Sequence, residues 1–296
     1  MFGSHLGEVL AVASAVFWGA AMVLFRVSGQ KVVPLGLNLF KTVFGLALFV
    51  LTLVVLGVPL IQPAPTGDYV LLLASGLLGI AFSDTLLFYS LNLLGAGRAA
   101  IVATLYSPFV IGLSLTFLGE RLSFWQIVGV GLIVTAVLII AYHKEEHRVS
   151  VGSAVTGVLL GVLAQFSTAV GIVMIKPLLA HTHVIWATAI RLAGAVPALA
   201  LFVGLHVERK SIYSSMVKRS HWRVLIPASF FGTYLSIVSW MAAMKYAEAS
   251  VAAALSQMST AFTFVFAALF LKEKPTPVKL VAVVLAVAGA LLASSL

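Results

Sequence analysis

The sequence predicts an all-α integral membrane protein: ten transmembrane helices arranged as two inverted five-helix repeats around a central cavity. Three observations point there. Of 296 residues, 61% are hydrophobic and only 9% are Asp, Glu, Lys or Arg, whereas soluble domains carry about 25% charged residues. The apolar residues gather into ten runs, and the mean hydropathy of the whole chain is +1.13. The sparse charges recur with nearly one period in the two halves. A soluble fold of this length could not cover its surface with so few charges, which sets aside soluble enzymes, nucleic-acid-binding domains and disordered chains. The net charge of +9 does not imply a nucleic-acid partner, because Lys and Arg sit mainly in short gaps between apolar runs, where membrane orientation is the usual reason. The chain has no Cys, hence no disulfide, thiol nucleophile or cysteine metal site.

A helix needs about 20 mostly apolar residues to cross the hydrocarbon core. The runs are Leu6–Ser28, Pro34–Gly57, Tyr69–Leu94, Ala96–Leu118 and Phe124–Tyr142, then Gly152–Ile175, Val184–His206, Trp222–Lys245, Ala247–Leu271 and Pro277–Ser295. Gly29, Pro59-Pro63-Pro65, Gly95-Gly97, Lys176-Pro177 and Lys274-Pro275-Thr276-Pro277 punctuate them. Barrel strands would alternate apolar and polar residues over about ten positions; these runs are apolar throughout. Met1 to Glu8 has no basic n-region, so the first run is expected to be a retained helix.

The longest polar stretch, Tyr142–Ser153, divides the runs into five and five. An offset of 150 places Arg26 on Lys176 and Lys41 on Arg191, and an offset of 153 places Glu120 on Glu273. Five is odd, so two such halves enter the membrane from opposite sides. That is the inverted plan in which transport sites form near the midplane, between the halves.

Phe17-Trp18-Gly19, the cation Lys41, Ser107-Pro108 and Leu118-Gly119-Glu120-Arg121-Leu122-Ser123 resemble the EamA-type pattern of the drug/metabolite transporter superfamily, and Leu271-Lys272-Glu273-Lys274-Pro275-Thr276 repeats its last element. The resemblance spans nearly the whole chain. It implies a first repeat over 1–145, an inverted second over 150–296, and transport of amino acids, other small metabolites, drugs, sugars or phosphorylated compounds. The sequence departs from the pattern at Lys272 (usually Gly), at Ala261 (often Pro in the second repeat) and at Ser167-Thr168 (where Trp-Gly would recur).

Lys41 and Arg191 each lie about eight residues inside a span. A charge there costs roughly 2.5–3.5 kcal/mol on insertion scales, so such groups face the bundle or water. They either line the cavity and attract a carboxylate or phosphate, or pair and snorkel to hold helices together. The structural reading is preferred, because the resemblance places a cation in each repeat whatever the cargo. Asp84, deep in the third span, has Ile237 as its counterpart. It is the candidate coupling residue, titrating during transport or neutralising Lys41 or Arg26. Trp18, Asn38, Tyr89, Tyr106, Gln165, Tyr234, Trp240 and Gln257, together with Lys41 and Arg191, are the candidate substrate-binding residues: so many embedded hydrogen-bonding groups imply a polar cavity, although each alone could join helices.

The remaining charged groups have simpler readings. Glu120 and Glu273 read as caps or loop anchors, and Glu248 as a helix-start carboxylate. The seven His fall mostly at helix ends; His181-Thr182-His183 lacks a third ligand, so no metal is expected. No cofactor or catalytic residue is expected either. No GxxxxGK[ST], HExxH or GxSxG occurs. A membrane-embedded enzyme acting on a lipid-linked substrate would need two or more convergent catalytic groups. The favoured function is alternating-access transport of small polar metabolites, most simply amino acids or related compounds. The alternative is an anionic-metabolite or nucleotide-sugar exchanger, favoured if both Lys41 and Arg191 face the cavity. The fifth and tenth spans carry almost no polar side chains and are candidate dimer contacts. Thirteen Lys and Arg fall on the side reached after odd-numbered spans against three on the side of both termini. The protein is expected in the plasma membrane, and that bias predicts its termini outside, where many relatives are expected to have them in the cytoplasm.

Overall fold

In the structure, a computed structural model, residues 5–117, 123–142, 151–247, 249–273 and 275–293 are described. The expectations for Glu120, Arg121, His143, His147, Glu248 and Lys274 lie outside them. Each of the ten predicted runs is mainly helical among the described residues, and no strand occurs among them. The first five helices are α1 (Leu6–Gly29), α2 (Pro34–Val55), α3 (Thr66–Leu94), α4 (Ala96–Phe117) and α5 (Phe124–Tyr142). They are followed by α6 (Val151–Val173), α7 (Val184–Leu205), α8 (Arg219–Tyr246), α9 in two pieces (Ala249–Ser256 and Ser259–Phe270) and α10 (Pro277–Ala293). Short helices Lys176–Leu179 and Arg209–Val217 lie in the connections. Among the described residues, seven helices (α1–α4 and α6–α8) are long and apolar enough to cross a membrane; the apolar parts of the other three are shorter.

Two helices begin three residues before the apolar runs that announce them: α3 at Thr66, behind Pro65, and α8 at Arg219. Hydropathy marks where a chain enters hydrocarbon, and polar first turns such as Arg219-Ser220-His221 continue the helix beyond that point.

The two halves repeat in detail. The six-residue π-helical segments Leu77–Phe82 in α3 and Phe230–Leu235 in α8 stand 153 apart, each with Gly as its third residue. α4 steps at Thr104 and Leu105, and α9 at Gln257 and Met258. Pro108 follows the first step and cannot donate a backbone hydrogen bond. The second has Ala261 at the matching position, so the step does not depend on proline.

Equivalent hydrogen bonds repeat as well. Ser83 Oγ donates to the Ala164 carbonyl at 2.8 Å and Ser236 Oγ to the Ser14 carbonyl at 3.3 Å, linking α3 to α6 and α8 to α1. Arg26 donates to the carbonyls of Leu91 and Asn92 at the end of α3. Lys176 donates to the carbonyls of Met244 and Ala247 at the end of α8. Cations at helix C-termini satisfy orphan carbonyls and oppose the helix dipole, which is why a charge survives at both positions.

Each half packs mainly on the other. α1 lies against α8 and α9, α6 against α3 and α4, α2 against α7, and α5 against α10. Small residues set the closest approaches: a Cβ added at Gly171 on α6 would sit 3.1 Å from the Cα of Gly79 on α3. In lipid, such close van der Waals packing substitutes for a hydrophobic driving force between helices. α5 and α10, the candidate dimer contacts, bury Ile133, Ala136, Ala282, Ala286 and Ala290 in their own interface and leave Ile127, Leu138, Val281 and Val284 exposed on the outer face.

Candidate functional site

A cavity of about 140 Å³ lies where the two halves meet. α1, α3, α4 and α6 to α9 supply its walls; α5 and α10 supply none. Seven of the sequence candidates line it: Trp18, Asp84, Tyr106, Gln165, Arg191, Trp240 and Gln257. They descend from seven helices and meet because α1 and α6 cross into the opposite half.

The other four candidates sit behind the walls. Lys41 is buried and donates to Asp84 Oδ2 at 2.7 Å, with the Phe88 ring 5.8 Å from its ammonium. It holds the carboxylate from behind, α2 to α3. Asn38, one turn earlier, gives its amide hydrogens to the carbonyls of Ile80 and Ala81 and to Thr85 Oγ1, at 2.9 to 3.1 Å. Those carbonyls belong to the π-helical segment, where the α-helical ladder is broken. Asn38 therefore repairs the backbone of the helix that presents Asp84. Tyr234 shares a hydrogen bond of 2.6 Å with Thr52 and packs edge-on against Phe49. Tyr89 is half-buried on α3 and not part of the cavity lining.

Arg191 is the group for which the surroundings do least. It is 2% exposed. Its Nε donates to Ser75 Oγ at 2.9 Å, one Nη contacts Met241 Sδ at 3.2 Å, and the guanidinium stands 5.9 Å from the Trp240 ring. Among the described residues it makes no ion pair. A buried charge without a counter-charge is costly. A neutral hydroxyl, a thioether and an indole face offset only part of that cost, and this cation lines the cavity.

Beside it, Tyr106 packs on Trp240 with ring centroids 6.1 Å apart. Its hydroxyl is buried without a hydrogen bond of good geometry, which in a native fold marks a place where a ligand or water completes the contact. Gln165, Trp18 and Gln257 line the same space.

Sequence reasoning missed the small hydroxyls on the walls. Ser14 and Ser236 meet at 3.2 Å across the halves, and Ser83 meets Thr168 at 2.5 Å. Ser and Thr are common in membrane helices, where they bond their own preceding turn, so a hydroxyl alone is no signal. The recurrence of Ser83 as Ser236 at the offset of 153 was the available clue.

An intertwined, duplicated helical membrane fold around a largely apolar cavity that carries a few polar groups and one buried guanidinium is the architecture of a membrane transporter. The chain belongs to the EamA-like transporter family, whose model matches residues 5–142 and again 155–295. It is 26% identical over 302 residues to a probable amino-acid metabolite efflux pump of Escherichia coli (strain K12), covering 97% of this chain and 94% of that one. A solved crystal structure of a protein shares the fold with a TM-score of 0.71 at 17% identity, covering 97% of this chain and 96% of that one.

Proposed function

We propose that this protein is a secondary carrier in the plasma membrane that moves small carboxylate-bearing metabolites, amino acids or related compounds, by alternating access. The observation that carries the reading is Arg191: a buried guanidinium on the cavity wall, without an ion-pair partner among the described residues. A cargo carboxylate supplies the missing counter-charge, bidentately if the cargo displaces weaker contacts, and the Tyr106 hydroxyl stands ready as a second donor. Trp18 and Trp240 offer apolar walls to the remainder of the cargo. The Escherichia coli relative, a probable amino-acid metabolite efflux pump, agrees with this class.

The exchanger alternative needs two cations facing the cavity. Lys41 is instead turned to Asp84 and does not line it, so Arg191 is the cation that lines the cavity among the described residues, which suits a monoanionic carboxylate better than a phosphate dianion. Asp84 remains the coupling residue of this reading, because it lines the cavity and at the same time holds Lys41, tying the cargo site to the α2–α3 contact. Asp84→Asn is then expected to abolish pH-driven flux.

Countertransport in reconstituted vesicles tests the cargo. Amino acids should exchange and phosphorylated solutes should not; exchange of phosphorylated solutes alone would reject the reading.

A further inference from the structure

We propose that the connection between α7 and α8 is a docking surface for anionic phospholipid headgroups. This 206–218 connection contains the helix Arg209–Val217 and leads into the first turn of α8. Arg209, Lys210, Lys218, Arg219 and Arg223 are all exposed there, against one acidic residue, Glu208. Between the cations stand exposed apolar groups: Val207 at 98%, Val217 at 67% and Tyr213 at 44%.

The patch is held rigidly. Ile212 is fully buried, and it and Met216 pack over Gly36 at the start of α2. The Trp222 indole donates to the Met216 carbonyl at 2.8 Å, His221 Nδ1 is 2.8 Å from the Ser215 carbonyl, and Trp222 packs on Phe40. One face is thus fixed to the bundle. Tyr213 and Val217, spaced four apart, are exposed on the other face, and Arg209 one turn earlier is exposed while donating to the Gly204 carbonyl at the end of α7. Interleaved cations and apolar tips at a membrane edge match the headgroup boundary, where phosphates meet acyl chains.

The repeat shows that this is an addition to the common plan. α2 and α7 match at an offset of 150, and the starts of α3 and α8 at 153. The three extra residues therefore lie in this connection. Its counterpart, Leu56 to Pro65, contains no Lys or Arg. The shared transport architecture does not need these charges, so their role is local to one leaflet.

The test uses the full chain in nanodiscs of phosphatidylcholine, alone or with a fraction of phosphatidylglycerol, with thermal unfolding as readout. Phosphatidylglycerol should raise the wild-type midpoint, and high salt should remove the rise. Lys210→Gln/Lys218→Gln/Arg219→Gln/Arg223→Gln should match wild type in phosphatidylcholine and lose the response, with apparent phosphatidylglycerol affinity at least about tenfold lower. Lys272→Gln, an exposed cation elsewhere, should keep it. Native mass spectrometry of the wild type, counting retained phosphatidylglycerol against phosphatidylcholine, decides the matter should the quadruple variant misfold. No midpoint difference between the two lipids, a quadruple variant that responds like wild type, or an equal response to soluble polyglutamate would overturn the proposal.

Discussion

Lys41 on α2 donates to Asp84 on α3 across 2.7 Å, and the positions related to them by the repeat hold Arg191 and Ile237. Among the described residues, one half of the molecule thus encloses an ion pair, and the other a cation without an ion-pair partner. The pair joins two helices of the first repeat; the second cation lines the cavity between repeats. This asymmetry separates a structural role from a binding role at what the sequence presents as two equivalent positions, and it makes opposite predictions for the two.

Removing Lys41 leaves the carboxylate of Asp84 without its partner. Breaking a buried pair costs about 3–5 kcal/mol, while replacing both partners by apolar residues is often nearly neutral. Lys41→Met is expected to lower stability by that order, and Lys41→Met/Asp84→Leu to regain most of the loss. Denaturant or thermal unfolding in nanodiscs reads this cycle. A double variant as unstable as the single one would show that the pair is not the source of the effect.

Arg191→Gln should behave differently. The native guanidinium is buried with neutral hydrogen-bond partners and interacts only at longer range with Asp84, so its loss relieves desolvation and stability should stay level or rise. Cargo affinity should fall, since a hydrogen bond to a charged group contributes about 1.5–3 kcal/mol, or roughly tenfold to more than a hundredfold. Equilibrium binding or the half-saturation of countertransport measures it. A destabilised Arg191→Gln with unchanged affinity would return Arg191 to a purely structural role.

Tyr106→Phe isolates the unpartnered hydroxyl. Without cargo the variant should be as stable as wild type or slightly more so, because a buried unsatisfied polar group is removed. With cargo, affinity should drop about fivefold if the hydroxyl donates to it, a net hydrogen bond being about 1 kcal/mol. Ligand-induced thermal shifts compare the two proteins directly.

How far the sequence reached follows from what each signal depends on. Helix positions were legible because hydrocarbon demands long apolar runs, and the repeat because charges are so rare that Arg26 and Lys176, or Lys41 and Arg191, stand out at a fixed spacing. Which face a side chain takes was not legible. Asn38 and Gln165 look alike in sequence, yet one mends carbonyls of a π-helical segment and the other lines the cavity. The difference rests on the broken hydrogen-bond ladder at Leu77–Phe82, which carries no signature of its own beyond Gly79. The partner of Asp84 was among the alternatives in view, but choosing Lys41 over Arg26 required knowing that Arg26 is used at the end of α3.

Gly171 supports a sharper packing prediction. Its missing side chain lets α6 approach α3, where a Cβ would meet Gly79 backbone at 3.1 and 3.2 Å and the Ser75 carbonyl at 3.2 Å. Gly171→Val puts branched carbons into backbone that cannot swing away, and overpacking of this kind costs typically 1–3 kcal/mol or more. Gly112→Ala, with nothing within 4 Å of the added carbon, should be neutral or mildly stabilising, as Ala favours helix over Gly. Comparing their thermal midpoints checks the relation. Equal behaviour of the two would refute the close-approach argument.

Orientation follows from where the cations are free. On the side reached after odd-numbered helices, Lys31, Lys210, Lys218, Arg219, Arg223 and Lys272 are exposed, and Arg209 is exposed with one hydrogen bond to the Gly204 carbonyl. On the side of both termini, Lys176 and Lys245 are half-buried and donate to main-chain carbonyls. Arg98 and Lys279, counted for the first side from sequence, are buried, which trims its excess without reversing it. Translocating a free cation against the membrane potential is disfavoured, whereas a cation bound to carbonyls is part of the bundle. We therefore expect both termini outside. A fluorescent-protein fusion after Leu296, which matures in the cytoplasm, should stay dark, while an alkaline phosphatase fusion at the same place, which requires export, should be active. Bright fluorescence with inactive phosphatase would mean that the basic Arg209–Val217 face lies on the outer leaflet and that the whole assignment of sides is inverted.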